Sequence, residues 1–320
     1  MKHFNVKTID EAVLLMRENR ERAKIIAGGV DVVSLLKNKV MMPQVLVNIK
    51  TIPDLIYIRE NEEGLKIGAL TTIKQIEESE IIKNKYPMVA EAANSVAAPQ
   101  IKNMATIVGN LCQDVMCWYY RMPPVTGVTF FCRRKGGKIC PAAAGQNTYH
   151  SIIGDKKCVA VSPSDIAPAL VALDSKVKAV NAEGERIIPL ENFYEVLGNI
   201  LEPDEIITEI MIPTTTSDTR QKFLKFRLRK AIDFAISSVA TKITQESEVI
   251  EDVRIVLGGI APMPYRAKSA EKILRGKKIT KSLVDTAAKE ALKEAKPLKM
   301  NAYKVPITEA LVRRAIGDFL

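Results

Sequence analysis

Five cysteines stand between residues 112 and 158 of this 320-residue chain, in the spacing Cys112-x4-Cys117-x14-Cys132-x7-Cys140-x17-Cys158. Cysteines used only as small hydrophobes would be scattered over many elements, so the clustering asks for a chemical cause, and ligation comes first. Zinc ribbons use close cysteine pairs, which this spacing lacks. Four thiolates from a long excursion could instead wrap a 4Fe-4S cluster, each iron taking one thiolate. From the spacing, zinc and free thiols remain open beside the cluster. His150 lies inside the excursion and could replace a thiolate, but a lone loop histidine is expected to face solvent. The basic run Arg133, Arg134, Lys135 and Lys138 either forms a nucleic-acid finger or offsets the negative charge of ligated thiolates.

A second stretch could do chemistry near the start. Ala23 to Ala27 reads as a buried strand, Gly28-Gly29 as a tight turn and Asp31 to Lys37 as a helix. Strand, glycine pair and helix start can cradle a phosphate, because glycine lets the backbone approach and N–H groups at the helix start face the anion. An ordinary strand-to-helix turn has the same sequence, and the GxGxxG of a Rossmann site is absent. Further on, QIKNMATIVGNLCQD reads as an irregular loop lying against a ligand.

These stretches need a scaffold, and the length allows one of two or three units. Thr8 to Glu11 fits a capping box before a helix over about 9–19. Strands are expected at 45–49 and in a 56–70 hairpin turning at Asn61 to Gly64. Thr71 and Thr72 cap a helix, and another runs through Met88 to Val96, ended by Pro99. SPSDIAPALVAL predicts a short helix, followed by a hairpin turning at Ala182 to Gly184. ENFYEVL predicts a helix and EIITEIMIP a strand. After a polar linker at Thr214 to Gln221 come three strands and helices at about 267–275, 280–295 and 306–319. Strands first and helices last mark a separate α+β unit.

The net charge of +10 invites a nucleic-acid reading, but the lysines are spread over the whole length and aromatics are only 5%, leaving no set of stacking platforms. The charge fits better a solvated face or one that meets an acidic partner. No apolar run approaches the roughly 20 residues of a membrane span, and the first residues lack a signal-peptide core. The expectation is a cytoplasmic chain that binds neither membrane nor nucleic acid. A zinc- or cluster-stabilised nucleic-acid-binding protein using the basic insert is the competing reading.

Five motifs in order, IIAGGVDVV, QIKNMATIVGNL, SPSDIAPALVAL, LEPDEIITEIMIP and KFLKFRLRKAIDFAISSV, give the chain a resemblance to the FAD-binding subunits of molybdenum hydroxylases, the xanthine dehydrogenase and carbon monoxide dehydrogenase family. The cysteine excursion is similar to the flavin subunit of 4-hydroxybenzoyl-CoA reductase, where an insert carries an extra 4Fe-4S cluster. The resemblance implies an α+β fold: a two-part FAD-binding domain like that of vanillyl-alcohol oxidase over 1–213 (parts 1–54 and 55–213, with a cluster-binding insert at about 113–158), then a smaller α+β domain of a three-stranded sheet and helices over 220–320. It implies one non-covalently held FAD, with Ile25, Ile26, Ala27, Gly28, Gly29, Val30, Asp31 and Val32 around the pyrophosphate and Thr106, Gly109 and Asn110 as the opposite wall. Ala97, Asp165, Leu201 and Lys225 match positions touching the cofactor further along, Asp165 as an acceptor and Lys225 as a cation near the flavin. The resemblance makes Cys117, Cys132, Cys140 and Cys158 the cluster ligands and leaves Cys112 spare.

Two departures stand out. The interval from Cys140 to Cys158 is longer than in 4-hydroxybenzoyl-CoA reductase. The usual Gly-Gly-Asn is Val108-Gly109-Asn110 here, and valine resists positive φ, so either the backbone is extended at 108 or the pyrophosphate lies further away. The implied function is an FAD- and 4Fe-4S-containing electron-transfer subunit. Its partners would be a 2Fe-2S subunit and a large molybdenum-cofactor subunit, with ferredoxin or NAD(P) as the external redox partner.

Overall fold

A computed structural model describes residues 1–123, 130–154 and 157–320; residues 124–129 and 155–156 of the expected insert lie outside the described residues. The first 52 residues build a small parallel sheet. β1 (Lys2–Asn5) leads into α1 (Ile9–Asn19), whose N-cap Thr8 accepts from the Glu11 N–H. The Glu11 carboxylate turns back one residue further than a capping box would, to the Lys7 N–H at 2.7 Å. β2 (Ala23–Ile26), α2 (Val32–Lys37) and β3 (Val45–Asn48) form a crossover unit, and β3 lies between β1 and β2, parallel to both. Ala12, Val13 and Met16 make one apolar stripe of α1 that packs with Val45 and Val47.

The second layer is a five-stranded sheet. β4 (Ile58–Asn61) and β5 (Gly64–Gly68) form the expected hairpin. Thr72 and Gln75 then make a full capping box at α3 (Ile73–Glu78), followed by α4 (Glu80–Lys85) and α5 (Pro87–Ser95). Where an irregular loop was expected, α6 (Pro99–Lys102) and α7 (Ile107–Leu111) form, so Pro99 opens a helix as its N1 residue rather than only ending one. The insert contributes α8 (Trp118–Arg121) and α9 (Pro141–Ala144). α10 (Ile166–Ala172) is buried on every side, as a run with no polar face must be.

β6 (Lys176–Asn181) and β7 (Gly184–Pro189) form the second expected hairpin. The helix expected over ENFYEVL does not form. Leu190 donates to Ser175 O and Ile200 to Phe193 O, and the chain makes a tiny ladder of β8 (Tyr194–Glu195) and β9 (Gly198–Asn199) instead. Tertiary bonds override the local preference there. β10 (Ile206–Pro213) returns to the centre, giving the order β4-β5-β10-β6-β7.

The last unit is a meander of β11 (Thr219–Phe226), β12 (Ser237–Glu246) and β13 (Val249–Gly258), to which β14 (Tyr265–Arg266) adds a short fourth strand where three were expected. α11 (Lys268–Leu274), α12 (Lys281–Glu290) and α13 (Lys304–Gly317) cover it. The insert is tied to this unit. Asn301 Nδ2 donates to the carbonyls of His150 and Ser151 at 3.1 and 3.0 Å, and Ile152 donates to Ile260 O at 2.8 Å. Among the described residues no helix is long and apolar enough to cross a membrane.

Candidate functional site

The glycine turn after β2 faces the α6–α7 segment. A Cβ on Gly28 would lie 1.9 Å from Met104 O, so the first glycine allows two backbones to touch. Gly29 sits at φ +73, where a side chain is strained. Opposite, Thr106 caps α7 by accepting from the Gly109 N–H, and a Cβ on Gly109 would meet that hydroxyl at 2.7 Å. Val108 is inside this helix, so its backbone is helical and not extended as one of the two expectations had it.

Between these walls runs a cleft. One part is lined by Gly28, Gly29, Val30, Asp31, Ala97, Thr106, Gly109, Asn110 and Asp165; a second hollow meeting it at Thr106 and Gly109 takes in Ile25, Ala27 and Leu201. Ile26 and Val32 line neither hollow. Lys225 reaches the cleft only through Asp165: its Nζ donates to Asp165 Oδ2 at 2.6 Å and to Ser95 O at 3.0 Å. Burial pushes the Asp165 carboxyl above its ordinary value against the pull of Lys225 and Arg227. Ile232, Asp233 and Phe234 also line the cleft, with Ile232 at φ +72 donating to Ala97 O. The sequence reading singled out none of these three, although they lie within the KFLKFRLRKAIDFAISSV motif, nor Gln113, which directly follows QIKNMATIVGNLC.

Cys117, Cys132, Cys140 and Cys158 all line one further small hollow, with Tyr119, Tyr120, Arg133 and Arg134. Cys112 is elsewhere, on the second hollow beside Thr106 and Gly109. Among the described residues no group of three or more His, Cys, Asp or Glu is arranged to hold a metal ion. A four-iron cluster asks for something different, four thiolates standing around a space with one per iron, and the donor set has that chemistry. Burial pushes the Cys117 thiol up to about 11.

His150 does not face solvent. It is 2% exposed, its Nε2 lies 3.2 Å from Cys117 Sγ, and burial with Lys304 nearby pushes it down to about 4. Arg134 is not a free finger either: it donates to Asp114 Oδ1 at 3.0 Å and to Val196 O at 2.8 Å.

Lys304 is fully buried, donating to Tyr149 O and Gly259 O, and burial pushes its amine down from 10.5 to about 7. Between those values the unfolded chain holds a proton that the folded chain releases, so stability rises with pH across that window. Below about pH 7 both states hold the proton and the contribution is flat. Urea unfolding at pH 7 and 9 should show a smaller rise for Lys304→Met than for the parent; equal slopes would contradict this.

A parallel three-stranded unit and an antiparallel five-stranded unit enclosing a glycine-walled cleft, with a smaller α+β unit behind, define a two-domain flavin-binding fold. Residues 1–215 match the family described as the FAD binding domain in molybdopterin dehydrogenase, and residues 222–319 the CO dehydrogenase flavoprotein C-terminal domain. The carbon monoxide dehydrogenase medium chain of Hydrogenophaga pseudoflava is 27% identical over 319 residues, covering 97% of this chain and 94% of that one. The aldehyde oxidoreductase FAD-binding subunit PaoB of Escherichia coli K12 is 31% identical over 260 residues, 78% of each chain. The solved carbon monoxide dehydrogenase from Hydrogenophaga pseudoflava superposes with a TM-score of 0.80 at 25% identity, over 99% of this chain and 96% of that one. The chain belongs to the FAD-binding medium subunits of the molybdenum hydroxylase family.

Proposed function

We propose that this subunit carries one FAD in the cleft and a 4Fe-4S cluster on Cys117, Cys132, Cys140 and Cys158, and relays electrons between an external carrier and a 2Fe-2S subunit that stands beside a large molybdenum-cofactor subunit. The observation that carries the cluster is the convergence on one hollow of four cysteines spread from residue 117 to residue 158. The cysteine insert also supports the finer likeness to 4-hydroxybenzoyl-CoA reductase.

When bound, FAD and the cluster supply two-electron and one-electron redox chemistry. The chain's own residues do the rest. The 28–32 turn and the Thr106–Asn110 wall hold the dinucleotide by backbone approach, and Asp165, clamped by Lys225, presents a fixed acceptor in the cleft. Around the cysteines, Phe131 and Ile139 are exposed beside exposed Arg133 and Lys138. This apolar tip ringed by cations suits docking of an acidic carrier such as a ferredoxin.

Iron, sulfide and flavin content test the reading. Acid precipitation of the purified chain should release FAD, and single Ser replacements of Cys117, Cys132, Cys140 or Cys158 should each abolish iron binding while Cys112→Ser keeps it. Stoichiometric zinc in place of iron, or FMN in place of FAD, would reject the assignment.

A further inference from the structure

We propose that Asp31 and Arg121 are positioning residues that couple the two sites, so that an occupied cysteine hollow raises the affinity of the cleft for FAD and the reverse. The inference rests on the reading above, with FAD in the cleft and a cluster in the hollow.

Asp31 stands at the start of α2 and lines the cleft, a place where a carboxylate would repel a diphosphate unless its charge is compensated. Both its oxygens are engaged from the insert. Arg121 Nη2 donates to Oδ1 at 2.7 Å and the Asp114 N–H to Oδ2 at 2.8 Å, with the Arg121 side chain only 11% exposed. Arg121 is itself fixed: it donates to Asp114 O at 2.7 Å and Val115 O at 2.9 Å, and its N–H donates to the Cys117 carbonyl at 2.9 Å. The Asp114 carboxylate then receives Tyr120 and Arg134, so the segments carrying Cys117 and Cys132 are both tied to it.

One cation from the cysteine segment thus neutralises one carboxylate of the phosphate loop. When the hollow is empty its four thiols lack a common partner to fix them, so the hold of α8 on Arg121 loosens and Asp31 repels the dinucleotide. Because both ligands then favour the same arrangement of the pair, the effect is reciprocal.

The test is an FAD titration, followed by flavin fluorescence quenching, of flavin-depleted full-length chain in two forms: iron-loaded, and stripped of iron with a chelator. The parent chain should bind FAD about tenfold more weakly when stripped. Arg121→Met should bind weakly in both forms, and Arg121→Lys should recover part of the difference. Asp31→Asn, which removes the repelling charge, should abolish the difference between the two forms; an Asp31→Asn chain that keeps the tenfold difference would overturn the proposal. So would a parent chain that holds iron and FAD with equal affinity in the two forms, or Arg121→Met keeping the tenfold difference. A parent chain that takes up FAD but never iron would remove the cluster reading itself, and the coupling with it.

Discussion

Lys225→Met should lower the stability of the chain by about 3–5 kcal/mol, the usual consequence of stripping one partner from a buried ion pair. The side chains of Lys225 and Asp165 are only 3% and 6% exposed, and the pair joins β11 to the segment before α10, across the seam between the last unit and the flavin-binding part. Without the lysine, Asp165 keeps only the smaller pull of Arg227 against its burial. Its carboxyl is already held above its ordinary value by burial, and the loss pushes it higher. A raised carboxyl contributes stability at low pH that disappears as pH rises through its folded value, so the penalty should be larger at pH 8 than at pH 5. Asp165→Leu combined with Lys225→Met should regain most of the loss, because the buried charge is gone. Urea unfolding of both variants decides the matter. A single variant within 1 kcal/mol of the parent (roughly the value of an exposed pair) would mean that the pair is solvated.

Gly28→Ala should empty the cleft of flavin. The added Cβ has nowhere to go, since the atom it meets at 1.9 Å is a backbone carbonyl and the next, Met104 C at 2.8 Å, is backbone too. The phosphate loop and the α6–α7 segment must part, at a cost on the order of 1–3 kcal/mol from overpacking, and the two walls of the cleft lose register with each other. Gly29→Ala is the informative contrast. Its Cβ would meet only side-chain atoms of Val33 and Ile26 at 3.3 Å and beyond, so its cost is the roughly 1–2 kcal/mol of a left-handed backbone. Flavin content per chain after gel filtration should fall at least tenfold for Gly28→Ala and less for Gly29→Ala. Full flavin content in Gly28→Ala would show that the walls separate without harm.

The difference between those two glycines was not legible in the sequence, because a close approach between residue 28 and residue 104 is a tertiary fact. What could be read was local. Thr72 with Gln75, the turns at Asn61 and Ala182, and the unbroken apolar run of α10 each carry their structure in adjacent residues. The segment from Pro99 to Leu111 reads as loop because its small and polar residues lack an amphipathic period. It folds as two helical turns since Thr106 caps one and Pro99 starts the other. Phe193 and Tyr194 left the expected helix for the same kind of reason: Tyr194 hydroxyl donates to Leu111 O, a partner 83 residues away. His150 was placed in solvent on its loop context, and only the packing of Asn301 and Lys304 behind it shows why it is inside. The cysteines declared themselves by clustering, yet Asp114 and Arg121, which tie them to the phosphate loop, look in the sequence like any surface charges.

The tie between Asn301 and the carbonyls of His150 and Ser151 spans 151 and 150 residues, and this sets a schedule for the chain's manufacture. At about 5–20 residues per second, roughly 8–30 seconds separate the emergence of the last cysteine-bearing segment from that of the residues that pin it. A chain cut after Pro297 should therefore leave all four thiols open to rapid alkylation, whereas slow alkylation in that fragment would show that the insert closes by itself. For a growing polypeptide the order is fixed: the last cysteine-bearing segment emerges well before the residues that pin it to the final unit.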